Sequence, residues 1–284
     1  VPVKDSGPDK IKHDMLCKSI YESVSDTYKD AFIACVKDFY THFKEKGWDK
    51  TEAQCIFVGK NTHRIQFRVN MWWTTDEPYH WVDWLALRFF GKLWCENRGE
   101  ENAKQWVFRA DISRPQWQGN ILDGALDKTY YGTGAFTSPE KYRRAELLER
   151  RGFERRVYGG ANRDDTSNHG SVVWIMNAWL HGGNAALPWN AWGNPKALDT
   201  NDSAGGGSMM IVPAQKKLGV PVVGDMRLKA FRDGEQLVEY MNIFRQRYGL
   251  TRDQVLAIVF KTVTVGAKVA EGAGADNADA LRFK

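Results

Sequence analysis

The sequence predicts an α/β fold of the TIM-type (β/α) barrel kind, and three observations carry that expectation. From about residue 31, helix-like and strand-like stretches alternate, which implies parallel strands joined by helical crossovers. Polar or aromatic residues stand at the ends of successive strand-like stretches (Glu77, Asp111, Tyr158, Trp189), where a barrel keeps its chemistry at the C-terminal rim. A doubly wound open sheet is the alternative, but no GxGxxG follows a strand here.

Residues 1–30 read as an irregular segment, with a turn at Gly7-Pro8 and a short helical piece over 15–24. Over 31–46, Phe32, Ile33, Val36, Phe39, Tyr40 and Phe43 form a stripe at helical spacing, and Gly47 supplies the stop. The short apolar run 53–59 (AQCIFVG) is a strand candidate, and 65–73 is a second that leads into NMWWTTDEP. Pro78 stops that strand just past two adjacent carboxylates, Asp76 and Glu77.

Residues 81–97 are expected to form an amphipathic helix and 106–112 (WVFRADI) a strand with Asp111 near its end. A weaker strand is expected over 126–131, then a helix over 139–152 with Ser138 as N-cap before a proline. Residues 155–160 (RRVYGG) make a strand, 171–181 an apolar helix ended by Gly182-Gly183, and 185–189 (AALPW) a last buried strand.

The run Gly205-Gly206-Gly207 reads as a flexible loop without a phosphate-binding signature. Beyond it a strand is expected over 209–213, and a long helix over 226–248 with Leu237, Tyr240, Met241 and Phe244 on one face. The Gly/Ala/Asp-rich tail 272–284 is expected to fray. The division is thus an N-terminal segment 1–30, a barrel portion 31–200, and a C-terminal segment 201–284 (loop, long helix and tail) packed on the barrel.

With 284 residues, 43% of them hydrophobic, the chain can bury a full core without metals or disulfides. No apolar run is long enough to span a membrane, and VPVKDSGPDK lacks the apolar core of a signal peptide. The 40 basic and 35 acidic residues are interspersed; RRAELLERRGFERR mixes both signs at helical spacing, so it reads as a solvated helix face rather than a nucleic-acid patch. Cys17, Cys35, Cys55 and Cys95 form no CxxC pair, so no zinc site is expected; buried free thiols are the default, with disulfides left open for an exported protein. His80, His169 and His181 lack metal-ligand spacing, and neither a metal nor a cofactor is expected. The twelve tryptophans suit either an aromatic core or exposed platforms for sugar faces.

Four segments, WWTTDEP, RADISRP, HGGNAALPWNAWG and MRLKAFRDGEQLVEYM, occur in that order. In them the chain resembles the glycoside hydrolase-like proteins carrying the domain of unknown function 4091, related to glycoside hydrolase family 123. The resemblance covers roughly residues 20–260, and RLKAFRDGEQLVEYM is its most specific part. It implies a TIM-type barrel in which DEP closes strand four, so that residues 53–189 supply only strands four to eight. About three (β/α) units would then come from a preceding segment or another chain, because an open half-barrel leaves a parallel edge that needs covering.

Glycoside cleavage uses a proton donor at the leaving oxygen and a second group that stabilises the oxocarbenium-like centre. Neighbours on a strand point to opposite faces, so Asp76 and Glu77 can serve one substrate only where the strand has ended. The resemblance implies substrate-assisted cleavage: Asp76 orients the substrate's acetamido group, the nucleophile, and Glu77 is the general acid/base. On the residues alone, Asp76 is equally a cap for the following helix, and Asp111 is as much a strand-end hydrogen bonder as a substrate contact. Tyr158, Trp189 and Trp192 are candidates for a sugar-stacking platform, and Asn177 for hydroxyl binding.

The resemblance thus implies glycoside hydrolysis with a carbohydrate partner, as a retaining cleavage of N-acetylhexosaminides, and a secreted or periplasmic location. The alternative is a non-catalytic glycan-binding or assembly protein on a glycosidase-derived scaffold, since a fold does not itself fix function.

Overall fold

The computed structural model describes residues 20–48, 50–59, 73–136, 143–145, 147–148, 154–159, 167–189, 191–192, 211–215, 219–263 and 281–283. Five strands are hydrogen-bonded in chain order, β1 (Ala53–Cys55), β2 (Trp106–Ile112), β3 (Lys128–Gly132), β4 (Glu154–Gly159) and β5 (Ala186–Pro188). This is the order of consecutive (β/α) units, as in part of a barrel. The chain divides into two compact units, 1–130 with 147–153, and 131–146 with 154–284.

In the first unit, α1 (Ile20–Ser23) is followed by α2 (Asp26–Glu45), whose N-cap Ser25 accepts the Tyr28 N–H at 3.2 Å. Helix α3 (Trp81–Asn97) connects β1 to β2, which pair in parallel with Ala53 opposite Trp106. Strand β2 is buried along nearly its whole length, as its near-continuous apolar sequence requires of a parallel strand covered on both faces. Helix α3 buries Trp84, Leu87, Phe90 and Trp94, and Phe90 stacks on Phe57 at 4.4 Å. Phe43 and Trp94 flank Trp106 at 4.8 and 5.7 Å.

Arg98, just past α3, fastens this unit. It forks onto Asp127, with Nη2 donating to Oδ1 at 2.8 Å and Nη1 to Oδ2, and also donates to the Trp106 carbonyl. The same carboxylate accepts the Phe108 N–H at 2.7 Å, so one ion pair ties α3, β2 and the entry to β3.

Several expectations change here. Pairing of the first strand stops at Cys55. The strand expected over 65–73 lies outside the described residues except for Trp73, which is in no strand, and β1 pairs directly with β2. Cys35, expected to be buried, is exposed together with Phe39, because α2 turns Val36 inward. Cys35, Cys55 and Cys95 are free thiols, and burial pushes Cys55 up to about 11 and Cys95 to about 12. Of the helix expected over 139–152, the described residues 143–145 and 147–148 are helical.

In the second unit, α4 (Asn168–Leu180) links β4 to β5, which pair in parallel with Val157 opposite Ala186. Strands β6 (Ile211–Gln215) and β7 (Val220–Gly224) form an antiparallel hairpin before α5 (Met226–Tyr248). Asp225 caps α5 by accepting the Arg227 N–H at 2.9 Å, and Gly249 ends it in the left-handed conformation. Helix α5 crosses α4 at Gly234, where an added Cβ would lie 3.1 Å from the Val172 Cα. Val173, Met176, Trp179 and Leu180 of α4 share a core with Met241 of α5 and with Val255 and Leu256 of α6 (Arg252–Val259).

The segment RLKAFRDGEQLVEYM is thus a helix-packing sequence whose buried side follows Ala230, Phe231, Gly234 and Met241. Tyr240, expected on that face, is 69% exposed because it lies about 100° away from Met241 around the helix. The fraying tail is also corrected in part: β9 (Leu281–Phe283) pairs antiparallel with β8 (Phe260–Val263), and the rest of 272–284 lies outside the described residues. Among the described residues no helix is long and apolar enough to cross a membrane.

His181, at the end of α4, is 3% exposed, and burial, with the nearby Arg155 charge, lowers its pKa from 6.5 to about 4. The unfolded chain therefore binds a proton that the folded chain refuses between about pH 6.5 and 4, so stability falls as pH drops through that window. Urea unfolding at pH 7 and pH 5 should differ by about 2 kcal/mol from this residue. In His181→Asn that part of the pH dependence should vanish.

Candidate active site

The loop 73–80, between β1 and α3, is held by backbone bonds from several sides. Asp83, buried in the first turn of α3, accepts the N–H groups of Thr74 (2.9 Å), Tyr79 (3.3 Å) and His80 (2.8 Å). The helix cap is therefore His80 with Asp83, and not Asp76. Thr75 Oγ1 donates to the Phe57 carbonyl at 3.2 Å, and Asp76 N–H donates to the Gly59 carbonyl at 3.3 Å. Gly59 permits this approach: an added Cβ would lie 2.8 Å from both Thr75 Oγ1 and the Trp73 carbonyl oxygen.

Glu77 N–H donates to the Asp111 carbonyl at 3.1 Å, which anchors the loop to the C-terminal end of β2. Asp76 is buried, at 4% exposure, and Glu77 is half-buried. Residues 73–80 are in no strand, so the alternation that would separate the two side chains does not apply. Among the described residues Glu77 is the non-glycine residue with positive φ, at 59°. The left-handed region costs an L-residue about 1–2 kcal/mol, and such strain concentrates at functional sites. Glu77→Gly should therefore raise the unfolding free energy measured by chemical denaturation by about 0.5–1 kcal/mol, while removing the carboxylate.

Asp111 is 8% exposed and accepts Arg109 Nη2 at 3.0 and 3.2 Å through its two oxygens. Residues i and i+2 share a strand face, which brings the two side chains together. Arg109 also lies 4.4 Å from the Tyr130 ring centre. Arg114, at the start of the next loop, lies over two rings, 4.7 Å from Tyr79 and 5.4 Å from Trp117. Neither that ring cluster nor Asp83 was singled out from the sequence, because both depend on how the loops after β1 and β2 meet.

In the second unit, Tyr158 and Trp189 come together at the C-terminal ends of β4 and β5. Tyr158 pairs with Leu187, and Trp189 N–H donates to the Gly159 carbonyl at 2.6 Å. Thr133 Oγ1 donates to the Tyr158 carbonyl at 3.3 Å. Trp189 and Trp192 are 55% and 59% exposed, and Trp192 forms a bridge with Ile211.

Asn177 lies elsewhere. It is in the last turn of α4, and the residues just after that helix meet the beginning of β4, with Arg155 donating to the His181 carbonyl. In a parallel (β/α) unit that is the end away from the strand C-termini.

The described tryptophans divide between core and surface. Trp84, Trp94, Trp106, Trp174 and Trp179 are core residues, whereas Trp48, Trp81, Trp117, Trp189 and Trp192 are exposed.

No family model matches the chain, and no curated protein sequence matches it. A solved structure does: a family 123 glycoside hydrolase from Clostridium perfringens, described for glycolipid glycan hydrolysis, with a TM-score of 0.56 and 14% identity. The match covers 90% of this chain and 43% of the other, so this chain spans less than half the length of that enzyme. The protein thus has a fold like part of a family 123 glycoside hydrolase.

Proposed function

We propose that the protein is a glycoside hydrolase-like enzyme that cleaves N-acetylhexosaminides with assistance from the substrate's acetamido group. The observation that carries this reading is the backbone of Glu77, held in the left-handed region by the Asp111 carbonyl beside the buried Asp76. A fold keeps such a conformation where the side chain has a task, and the likeness to a family 123 enzyme agrees with the task.

In the proposed reaction the protonated Glu77 donates to the glycosidic oxygen as the C1–O bond breaks. The acetamido carbonyl oxygen, oriented by Asp76, bonds to C1 and closes an oxazolinium ring. Water then gives a proton to the Glu77 carboxylate and opens the ring at C1, so the anomeric configuration is retained. Tyr158, Trp189 and Trp192 are proposed to stack on sugar faces. Asp111, tied to Arg109, is proposed to hold the Glu77 loop through its carbonyl rather than to contact substrate. Asn177 is left out on its position. Strands beyond the five in the sheet would complete a closed barrel.

The test is a panel of aryl N-acetylhexosaminides and oligosaccharides offered to wild type and Glu77→Gln. Hydrolysis of the oligosaccharides by wild type that the substitution removes, with the aryl glycosides much less affected, supports the reading. Glycan binding without any cleavage by wild type would leave a binding protein on a hydrolase scaffold.

A further inference from the structure

Arg114 follows β2 by two residues, and the backbone bond from Glu77 N–H to the Asp111 carbonyl ties its loop to the Glu77 loop. Its guanidinium lies over Tyr79 and Trp117, within the roughly 6 Å at which a cation is attracted to a ring face. Those rings meet edge-on, 5.4 Å apart, and remain 52% and 44% exposed. Beyond the rings, Arg114 Nη1 donates to Ser113 Oγ at 3.1 Å, and among the described residues no carboxylate pairs with it. Arg98, Arg109, Arg156 and Arg227 are each held by a carboxylate. Among the described residues Arg114 is thus a cation held in place by two ring faces, with no carboxylate partner.

We propose that Tyr79, Arg114 and Trp117 form a subsite, beside Glu77, for a sugar unit that carries a carboxylate or sulfate group. The guanidinium fork matches either oxyanion through two parallel hydrogen bonds. The exposed rings supply apolar faces on which a pyranose can stack. Only the position of the subsite next to a cleaved bond rests on the hydrolase reading; the recognition chemistry does not.

Binding is best measured by calorimetry at low salt on Glu77→Gln, which removes turnover from the reading. The probes are a hyaluronan hexasaccharide (carboxylates), a chondroitin sulfate hexasaccharide, its carboxyl-reduced form (sulfates only) and neutral chitohexaose. The acidic oligosaccharides should bind about 10–100-fold more tightly than chitohexaose, as a charge-assisted pair implies. Adding Arg114→Gln should erase that preference, and Trp117→Ala should weaken all four ligands. Should Arg114→Gln fail to fold, Arg114→Lys keeps the charge without the fork and should cut the preference several-fold. Whether the carboxyl-reduced form keeps the preference tells sulfate from carboxylate.

Equal affinity for chitohexaose, an Arg114→Gln variant that keeps the preference, or no binding of any acidic glycan would overturn the proposal. Wild type that binds acidic glycans but cleaves none would keep the subsite and sink the hydrolase reading alone.

Discussion

Glu77→Gln should lower kcat/KM by about 10²–10⁴ on an oligosaccharide whose leaving group is a sugar hydroxyl. It should lower it much less on an aryl glycoside. The difference is chemical: an alkoxide leaves only when protonated, whereas a phenolate leaves with little help from an acid. A structural role for Glu77 would instead lower both rates together. The carboxamide keeps the size of the side chain and leaves the backbone bond to Asp111 in place. Asp76→Asn should slow both substrate types, because it acts on the acetamido nucleophile and not on the leaving oxygen. Parallel kinetics of wild type and the two variants on both substrates separate these roles.

The second large effect concerns the ion pair that ties α3, β2 and the entry to β3. Asp127→Ala should cost about 3–5 kcal/mol, because it strands the buried Arg98 charge and frees the Phe108 N–H. Arg98 is 7% exposed, so water cannot readily replace the lost carboxylate. The double variant Asp127→Leu with Arg98→Met should recover much of the loss, since it leaves no buried charge unpaired. Urea or thermal unfolding of the two variants checks both statements. If Asp127→Ala unfolds like wild type, the ion pair contributes no more than an exposed one.

Much of the fold was legible because some segments carry their own period. Residues 81–97, 106–112 and 226–248 occupy the bounds their patterns imply, as α3, β2 and α5. Each is long, and each is either periodic in its burial or continuously apolar, so local preference and tertiary burial agree. Short elements were less legible. The strand β7 is too short to carry a pattern of its own, α6 depends on Trp179 and Leu180 far back along the chain, and Leu281–Phe283 sits within a composition that suggests fraying.

At the candidate site, residue types could be read but not geometry. The pair Asp76-Glu77 after an apolar run marked the place, yet the positive φ of Glu77 belongs to a loop that is bonded to the Gly59 carbonyl, the Asp83 carboxylate and the Asp111 carbonyl. Arg98 and Asp127 are 29 positions apart, and no local pattern joins them. For the same reason the alignment of Arg114 with Tyr79 and Trp117 appears only once the loops after β1 and β2 are brought side by side.

The measurement that bears most directly on the proposed function is release of N-acetylhexosamine from oligosaccharides that end in it, followed by chromatography for wild type and Glu77→Gln. The expected result is release by wild type and almost none by the variant. Glycan binding by wild type with no sugar released, or equal release by both proteins, would contradict it.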